Sequence, residues 1–294
     1  MSKKRKLIKN ELGYFEFIKK PSANELNLYY KDKYYQNEVA NYKKKYSQEE
    51  LDYLNIKIDQ QKYLIEKMIN IKKGKMIDIG CGEGHTMKRY YDLGWNVRGV
   101  DFSKTGLEQT HLNMLQFARI GDINKIIDQE IKEKNKYDFI NMKNVLEHVI
   151  DPIGILKKLK IISANKGCLA VTVPNDFSDL QNFLISDGCV NSQYWVCYPD
   201  HLNYFNYNSL QNIARHTDWN CQTIIADLPI DWNLLNHNSN YIIDKSKGSI
   251  AHHSRIKLEK IIHSKNDMVN IIDFYSSLAK IGQGRDLTAF MIKN

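Results

Sequence analysis

Met76-Ile77-Asp78-Ile79-Gly80-Cys81-Gly82-Glu83-Gly84 is the stretch that decides the fold. A short apolar run carries a carboxylate, three glycines fall at alternate positions, and a helix-like segment begins at about His85. Glycine is needed where a turn takes positive φ or where a ligand packs on bare backbone. Strand, glycine-rich turn and helix N-terminus in that order make an anion- or nucleotide-binding corner. The spacing is G-x-G-x-G and not the dinucleotide G-x-G-x-x-G, because Gly84 falls one residue early and His85 takes the last place.

Downstream, apolar runs alternate with helical spacing. After the strand Lys75 to Ile79 come a helix from about His85 to Leu93, a second strand from Trp95 to Val100 and a helix from about Ser103 to Gln116. A short third strand is expected near Phe117 to Ile120, then a helix Ile123 to Glu133 and a fourth strand Tyr137 to Met142. A helix from about Pro152 to Ser163 and a fifth strand Gly167 to Val173 complete the series. This rhythm implies a parallel, doubly wound α/β sheet covered on both faces. Residues 174–207 read as a long loop, followed by a helix Asn208 to Thr217, a sixth strand Trp219 to Ala226 and a seventh Leu287 to Ile292. The 229–281 insertion has helical patterns at Ser254 to His263 and Asp267 to Lys280. Its length favours a structured cap over an open loop.

Upstream, residues 1–70 are polar and tyrosine-rich. The apolar stripe from Gln48 to Ile71 reads as a helix that Ser47-Gln48-Glu49-Glu50 opens with a capping box. The expected organisation is therefore an N-terminal helical lid at 1–70, a core at 71–228, a helical cap at 229–284 and a final core strand at 285–294.

The chain has 294 residues, 43% hydrophobic and 26% charged, which is ordinary for a globular protein with a substantial core. Its net charge of +8 suits an anionic partner, whether nucleic acid or small molecule. The lysine-rich runs Lys3-Lys4-Arg5-Lys6, Lys43-Lys44-Lys45 and Lys72-Lys73 are short, and a solvated face accounts for them. Cys81, Cys168, Cys189, Cys197 and Cys221 form no CxxC pair, so reduced thiols in the cytoplasm are expected, with no disulfide framework and no metal site. No apolar run approaches a membrane span.

Two carboxylates sharpen the reading. Asp101 ends the second strand, 19 residues after Gly82, where an acidic residue accepts the ribose hydroxyls of an adenosine. Phe102 beside it offers a face for adenine. Asp122, in Gly121-Asp122-Ile123 after the third strand, is placed to accept the adenine amino group. Helix capping is the alternative role for both carboxylates.

Asp78-Ile79-Gly80-Cys81-Gly82-Glu83-Gly84, Gly99-Val100-Asp101-Phe102-Ser103, Gly121-Asp122-Ile123 and Tyr137-Asp138-Phe139-Ile140, in that order, resemble the class I S-adenosylmethionine (SAM) dependent methyltransferases. Val145-Leu146-Glu147-His148-Val149 with Asp151-Pro152, and Pro199-Asp200-His201-Leu202-Asn203-Tyr204-Phe205, resemble the group with ubiquinone-biosynthesis O-methyltransferases and sugar or glycan methyltransferases. The resemblance covers about residues 75–227 and the last strand. It implies a Rossmann-like seven-stranded sheet, mostly parallel with the last strand antiparallel, and SAM as cofactor. It implies Asp78 near the amino-acid end of SAM, Gly80 and Gly82 beneath it, Asp101 on the ribose, and Asp122 with Ile123 near adenine. Lys143 falls where the family contacts SAM through backbone.

A sulfonium is already activated, so such an enzyme aligns the nucleophile and excludes water. A hydroxyl acceptor also needs its proton removed, and a positioned histidine does this. His201 and His148 lie at the right edge of the sheet, and a structural role is the alternative for each. Tyr30 and Tyr34, in Tyr29-Tyr30-Lys31-Asp32-Lys33-Tyr34-Tyr35, suit a lid over the site, and Tyr204 suits the acceptor pocket.

The leading expectation is O-methylation of a small molecule, a sugar, nucleotide sugar or glycan precursor, with an anionic or sugar-containing acceptor as partner and a homodimer left open. The alternatives are a nucleic-acid methyltransferase and a non-catalytic SAM-binding protein. Asn141-Met142-Lys143-Asn144 lacks the Asn/Asp-Pro-Pro-aromatic segment of amino-directed base methylation, and no cysteine pair near strands four and five suggests pyrimidine carbon methylation.

Overall fold

Leu7–Lys9 (β1) and Phe15–Phe17 (β2) pair antiparallel, with Leu7 opposite Phe17. The computed structural model describes residues 6–22, 24–26, 28–29 and 45–293. The hairpin adds two strands to a start expected of the sequence as a helical lid segment. Apolar and charged residues alternate there, and period two is the signature of a half-buried strand. β2 also pairs with Asn203–Tyr204 (β8), so the chain start is tied to the segment that bears His201. Tyr30 and Tyr34 lie outside the described residues.

Gln48–Ile69 (α1) begins as the capping box requires. The Ser47 side chain accepts from the Glu50 N–H, and the Glu50 carboxylate accepts from the Ser47 N–H at 2.9 Å. Ile58, Leu64 and Ile65 are its buried apolar residues.

The main sheet is built from Lys75–Ile79 (β3), Asn96–Asp101 (β4), Ala118–Ile120 (β5), Tyr137–Lys143 (β6), Ser163–Pro174 (β7), Trp219–Ala226 (β9) and Asp286–Lys293 (β10). Its order is β5-β4-β3-β6-β7-β10-β9. The pairs from β5 through β7 are parallel, and β10 runs antiparallel between β7 and β9. Met76, Ile77, Ile79, Phe139, Ile140 and Met142 are fully buried, as expected of central strands covered on both faces. The helices His85–Asp92 (α2), Thr105–Thr110 (α3), Ile123–Lys132 (α4) and Pro152–Ile162 (α5) provide the crossovers. The third crossover returns from β5 to β6 on the far side of β3. The strand order thus reverses between β3 and β6, and ligands of open α/β sheets bind in the crevice beyond the carboxyl ends at such a point.

The 174–207 stretch is more ordered than a loop. It holds the helix Asp179–Ser186 (α6) and β8, and packs Phe17, Trp195 and Tyr204 into a small satellite core. Tyr207–His216 (α7) precedes β9. Between β9 and β10 lie a 3-10 segment at Ile230–Leu235 and the helices Lys247–Lys265 (α8) and Met268–Lys280 (α9). α8 is fastened to α1 by the Lys57–Glu259 ion pair at 2.7 Å and a Gln60–His263 hydrogen bond at 2.8 Å. Among the described residues, no helix is long and apolar enough to cross a membrane.

Candidate active site

A cavity of about 460 Å³ opens at the carboxyl edge of the sheet, where the strand order reverses. That size is within the usual range of small-molecule sites. At one end it is lined by Asp78, Gly80, Gly82, His85 and Lys143, and at the other by Thr172, Asp227, Asp286 and Thr288. Tyr53, Lys57 and Gln61 of α1 form its roof.

The three glycines of the loop do different work. All have positive φ, +74° at Gly80, +52° at Gly82 and +78° at Gly84. A Cβ on Gly80 would come within 2.3 Å of Val145 Cγ2, and one on Gly84 within 2.5 Å of Leu107 Cδ2. These two seat the loop against the protein. A Cβ on Gly82 would meet nothing within 4 Å, so its bare backbone fronts the cavity.

Asp78 is buried at the end of β3 and accepts from Asn141 Nδ2 at 2.6 Å. Burial pushes its carboxyl up to about 6, with the Asn141 hydrogen bond opposing the rise and Asp101 adding to it. Asn141 Oδ1 in turn accepts from Gln61 Nε2 at 2.8 Å, so a polar chain joins α1, β6 and β3. The sequence carried a signal for Asn141, a polar residue inside the apolar run Phe139-Ile140-Asn141-Met142.

Asp101 lies nine-tenths buried beside the loop. Its Oδ2 accepts from Gly82 N at 2.8 Å and its Oδ1 from Ser103 N at 3.0 Å. It therefore braces the glycine turn, and the carboxylate retains acceptor capacity for a ligand hydroxyl. Asp122 caps α4, accepting from Lys125 N at 3.1 Å, with Ile123 as the first helical residue. Asp101, Phe102, Asp122 and Ile123 are not part of the cavity lining, which stops at the glycine loop on that side.

At the other end, β10 presents Asp286, Thr288 and Phe290 at alternate positions, as a strand must. Thr172 and Thr288 share a hydrogen bond of 2.9 Å across the β7–β10 pair. Asp227 accepts from the backbone N–H groups of Arg285 and Asp286 and pairs with Arg255 of α8 at 3.2 Å. Burial and the neighbouring Asp286 raise its pKa. This wall is not legible in the sequence, because Asp227 and Asp286 meet through the β9–β10 pairing and Arg255 reaches them from the insertion.

His148 and His201 are brought together but stand outside the cavity lining, which ends at Asn144 on their side. The Glu147 carbonyl accepts from Leu202 N at 2.8 Å and Asn203 N at 3.1 Å, and Asn203 Nδ2 donates to the Val149 carbonyl at 2.7 Å. These bonds hold the two histidine segments side by side, with ring centroids 4.8 Å apart. Tyr204 is fully buried and donates to the His201 carbonyl at 2.9 Å, so it braces that segment from the satellite core. Tyr46, just before α1, donates to the Glu83 carboxylate and closes over the glycine loop in the described part of the tyrosine-rich region.

A family model described as a methyltransferase domain matches residues 51–224. Among curated proteins, the ubiquinone biosynthesis O-methyltransferase of Histophilus somni is 26% identical over 119 residues, 38% of this chain and 50% of that protein. The protein of that name from Vibrio parahaemolyticus is 30% identical over 97 residues, 32% of this chain and 41% of its own length. The chain therefore spans half or less of the length of these curated relatives. A methyltransferase structure from Galdieria sulphuraria shares the fold, with a TM-score of 0.50 at 14% identity over 92% of this chain and 98% of that one.

Proposed function

The chain belongs to this methyltransferase-domain family, and from that premise we propose that it transfers the methyl group of SAM to a hydroxyl of a small-molecule acceptor, in the class of sugars, nucleotide sugars or glycan precursors. The observation that carries this reading is the single cavity running from Gly82 to Thr288. One end offers bare backbone and a buried carboxylate, and the other offers hydroxyl-bonding groups. The names of the relatives above support oxygen as the nucleophile.

SAM supplies an activated methyl on a sulfonium. The chain's own residues bind, orient and exclude water. In this reading Asp78 faces the α-ammonium of the cofactor, and Gly80, Gly82 and Lys143 carry its amino-acid portion. Asp101 and Phe102 hold the ribose and adenine, with Asp122 and Ile123 at the adenine rim. Thr172, Asp286 and Thr288 orient the acceptor hydroxyls. His148 and His201, held together beside the cavity and outside its lining, are the candidate acceptors of the hydroxyl proton where no ion occupies them.

Titration calorimetry with SAM and with its demethylated product tests the cofactor, and release of that product in the presence of free sugars, nucleotide sugars and catechols tests the acceptor. Binding that is absent, or unchanged in Asp101→Ala, would overturn the cofactor assignment.

A further inference from the structure

Glu147, His148 and His201 each point one ligand atom at a common space, and those atoms lie within 4.8 Å of one another. Glu147 is 1% exposed. Its Oε2 is buried with no hydrogen-bond partner among the described residues, and its Oε1 is 3.7 Å from His148 Nε2. A buried carboxylate left in this way is costly unless a cation or a strong donor meets it or it takes up a proton. The His148 ring is turned for that task. Its Nδ1 is 2.6 Å from the Asp200 carbonyl oxygen, which requires an N–H at Nδ1 and leaves the lone pair at Nε2, the atom facing Glu147. A backbone carbonyl fixing the far nitrogen is how metal-ligating histidines are usually held.

We propose that Glu147, His148 and His201 bind a divalent first-row metal ion such as zinc, manganese or cobalt. Two nitrogens and one carboxylate oxygen suit these borderline ions and leave coordination positions open. With metal–ligand bonds of about 2.1 Å, two donors on one ion stand at most about 4.2 Å apart. The widest separation must therefore shorten by about 0.6 Å for donors trans to one another and by more than about 1 Å for a tetrahedral site, which a histidine rotation has to supply. The expectation of no metal, drawn from the cysteines, is replaced by a site that the cysteines do not share. The site adjoins the cavity without lining it, and if the methyl-transfer reading holds, an ion there would keep the two histidines as ligands, so that the acceptor proton would pass to water and not to them.

The full chain, stripped with chelator and dialysed, is titrated with Co²⁺ while visible d–d absorption and calorimetric heat are followed. One Co²⁺ per chain with d–d bands is expected. His201→Ala, His148→Gln and Glu147→Gln should each weaken it by about tenfold or more. His253→Ala, on the exposed face of α8, should leave it unchanged. Circular dichroism checks folding. If the buried Glu147→Gln does not fold, the two histidine variants decide. Absence of d–d bands in the wild type, or unaltered Co²⁺ binding in both histidine variants, overturns the proposal. SAM titration of the same stripped protein reports the cofactor site separately, so failure of one is not mistaken for failure of the other.

Discussion

Asn141 Nδ2 donates to Asp78 Oδ1 at 2.6 Å, and this one bond ties the centre of the sheet to the floor of the cavity. Because Asn141 Oδ1 also accepts from Gln61, the position of α1 over the cavity depends on the same side chain. A single asparagine thus satisfies a buried carboxylate on one side and holds the roof on the other.

Replacing it with an apolar residue of similar size removes the side-chain partner of both Asp78 and Gln61. Asn141→Leu should therefore cost about 1–3 kcal/mol in urea unfolding and weaken SAM. Asn141→Asp should be worse, since it sets a second carboxylate against Asp78. A wild-type midpoint and affinity in Asn141→Leu would remove the bond from the account.

The raised Asp78 carboxyl also sets a pH dependence. Its folded value of about 6 lies above the ordinary carboxylate range. The neutral form is thus favoured in the fold, and this contribution to stability is present at low pH and lost as pH rises through about 6. A cationic ligand group needs the anion, so its binding runs the opposite way. Lowering the pH from 7 to 5 should weaken SAM by about tenfold, and calorimetry at the two pH values checks this. Asp78→Asn should bind weakly at both, with the pH dependence gone.

Gly80 and Gly82 make a sharper pair. An alanine at Gly80 meets Val145 at 2.3 Å and keeps a positive φ, so Gly80→Ala should lower stability by about 1–3 kcal/mol. An alanine at Gly82 meets no protein atom, so only the φ strain of about 1 kcal/mol remains. Gly82→Ala should fold with a small drop in Tm and lose SAM affinity, because its methyl enters the space above the loop. Equal effects of the two on Tm, with affinity kept in Gly82→Ala, would contradict this division.

The core strands were legible because their signals are local. Lys75–Ile79 and Trp219–Ala226 begin and end where the apolar runs do, and the Ser47 capping box marks the start of α1 to the residue. The β1–β2 hairpin was hidden by brevity, three residues per strand, although the alternation from Leu7 was in view. β8 has two residues and is a strand only because β2 pairs with it. For the site, the glycine loop and its flanking carboxylates were readable from spacing. The wall formed by Lys57, Asp227, Arg255 and Asp286 was not, since its members are scattered between residues 57 and 286 and meet through the β9–β10 pairing and the packing of α1 and α8. A link of Glu147 to one of the histidines was readable as an option, but the backbone bonds from Leu202 and Asn203 that bring the His201 segment to Glu147 carry no local signal.

That packing can be tested at its central contact. Glu259 is fully buried on α8 and receives Lys57 Nζ at 2.7 Å and the Tyr275 hydroxyl at 2.6 Å, while Lys57 also stands 4.4 Å above the Tyr275 ring. Lys57→Ala leaves the Glu259 carboxylate with the tyrosine alone. The expected cost is about 3 kcal/mol, because the penalty is that of a stranded buried charge and not of a surface ion pair. Removing both charges with apolar residues of similar length, Lys57→Met with Glu259→Leu, should recover most of the loss, since the desolvation of the charged pair is then avoided. A double-mutant cycle in urea measures the coupling. If the pair is what holds the insertion over the cavity, Lys57→Ala should also raise the acceptor KM while leaving SAM affinity near wild type. A coupling near zero would mean that α8 is held by its apolar contacts alone.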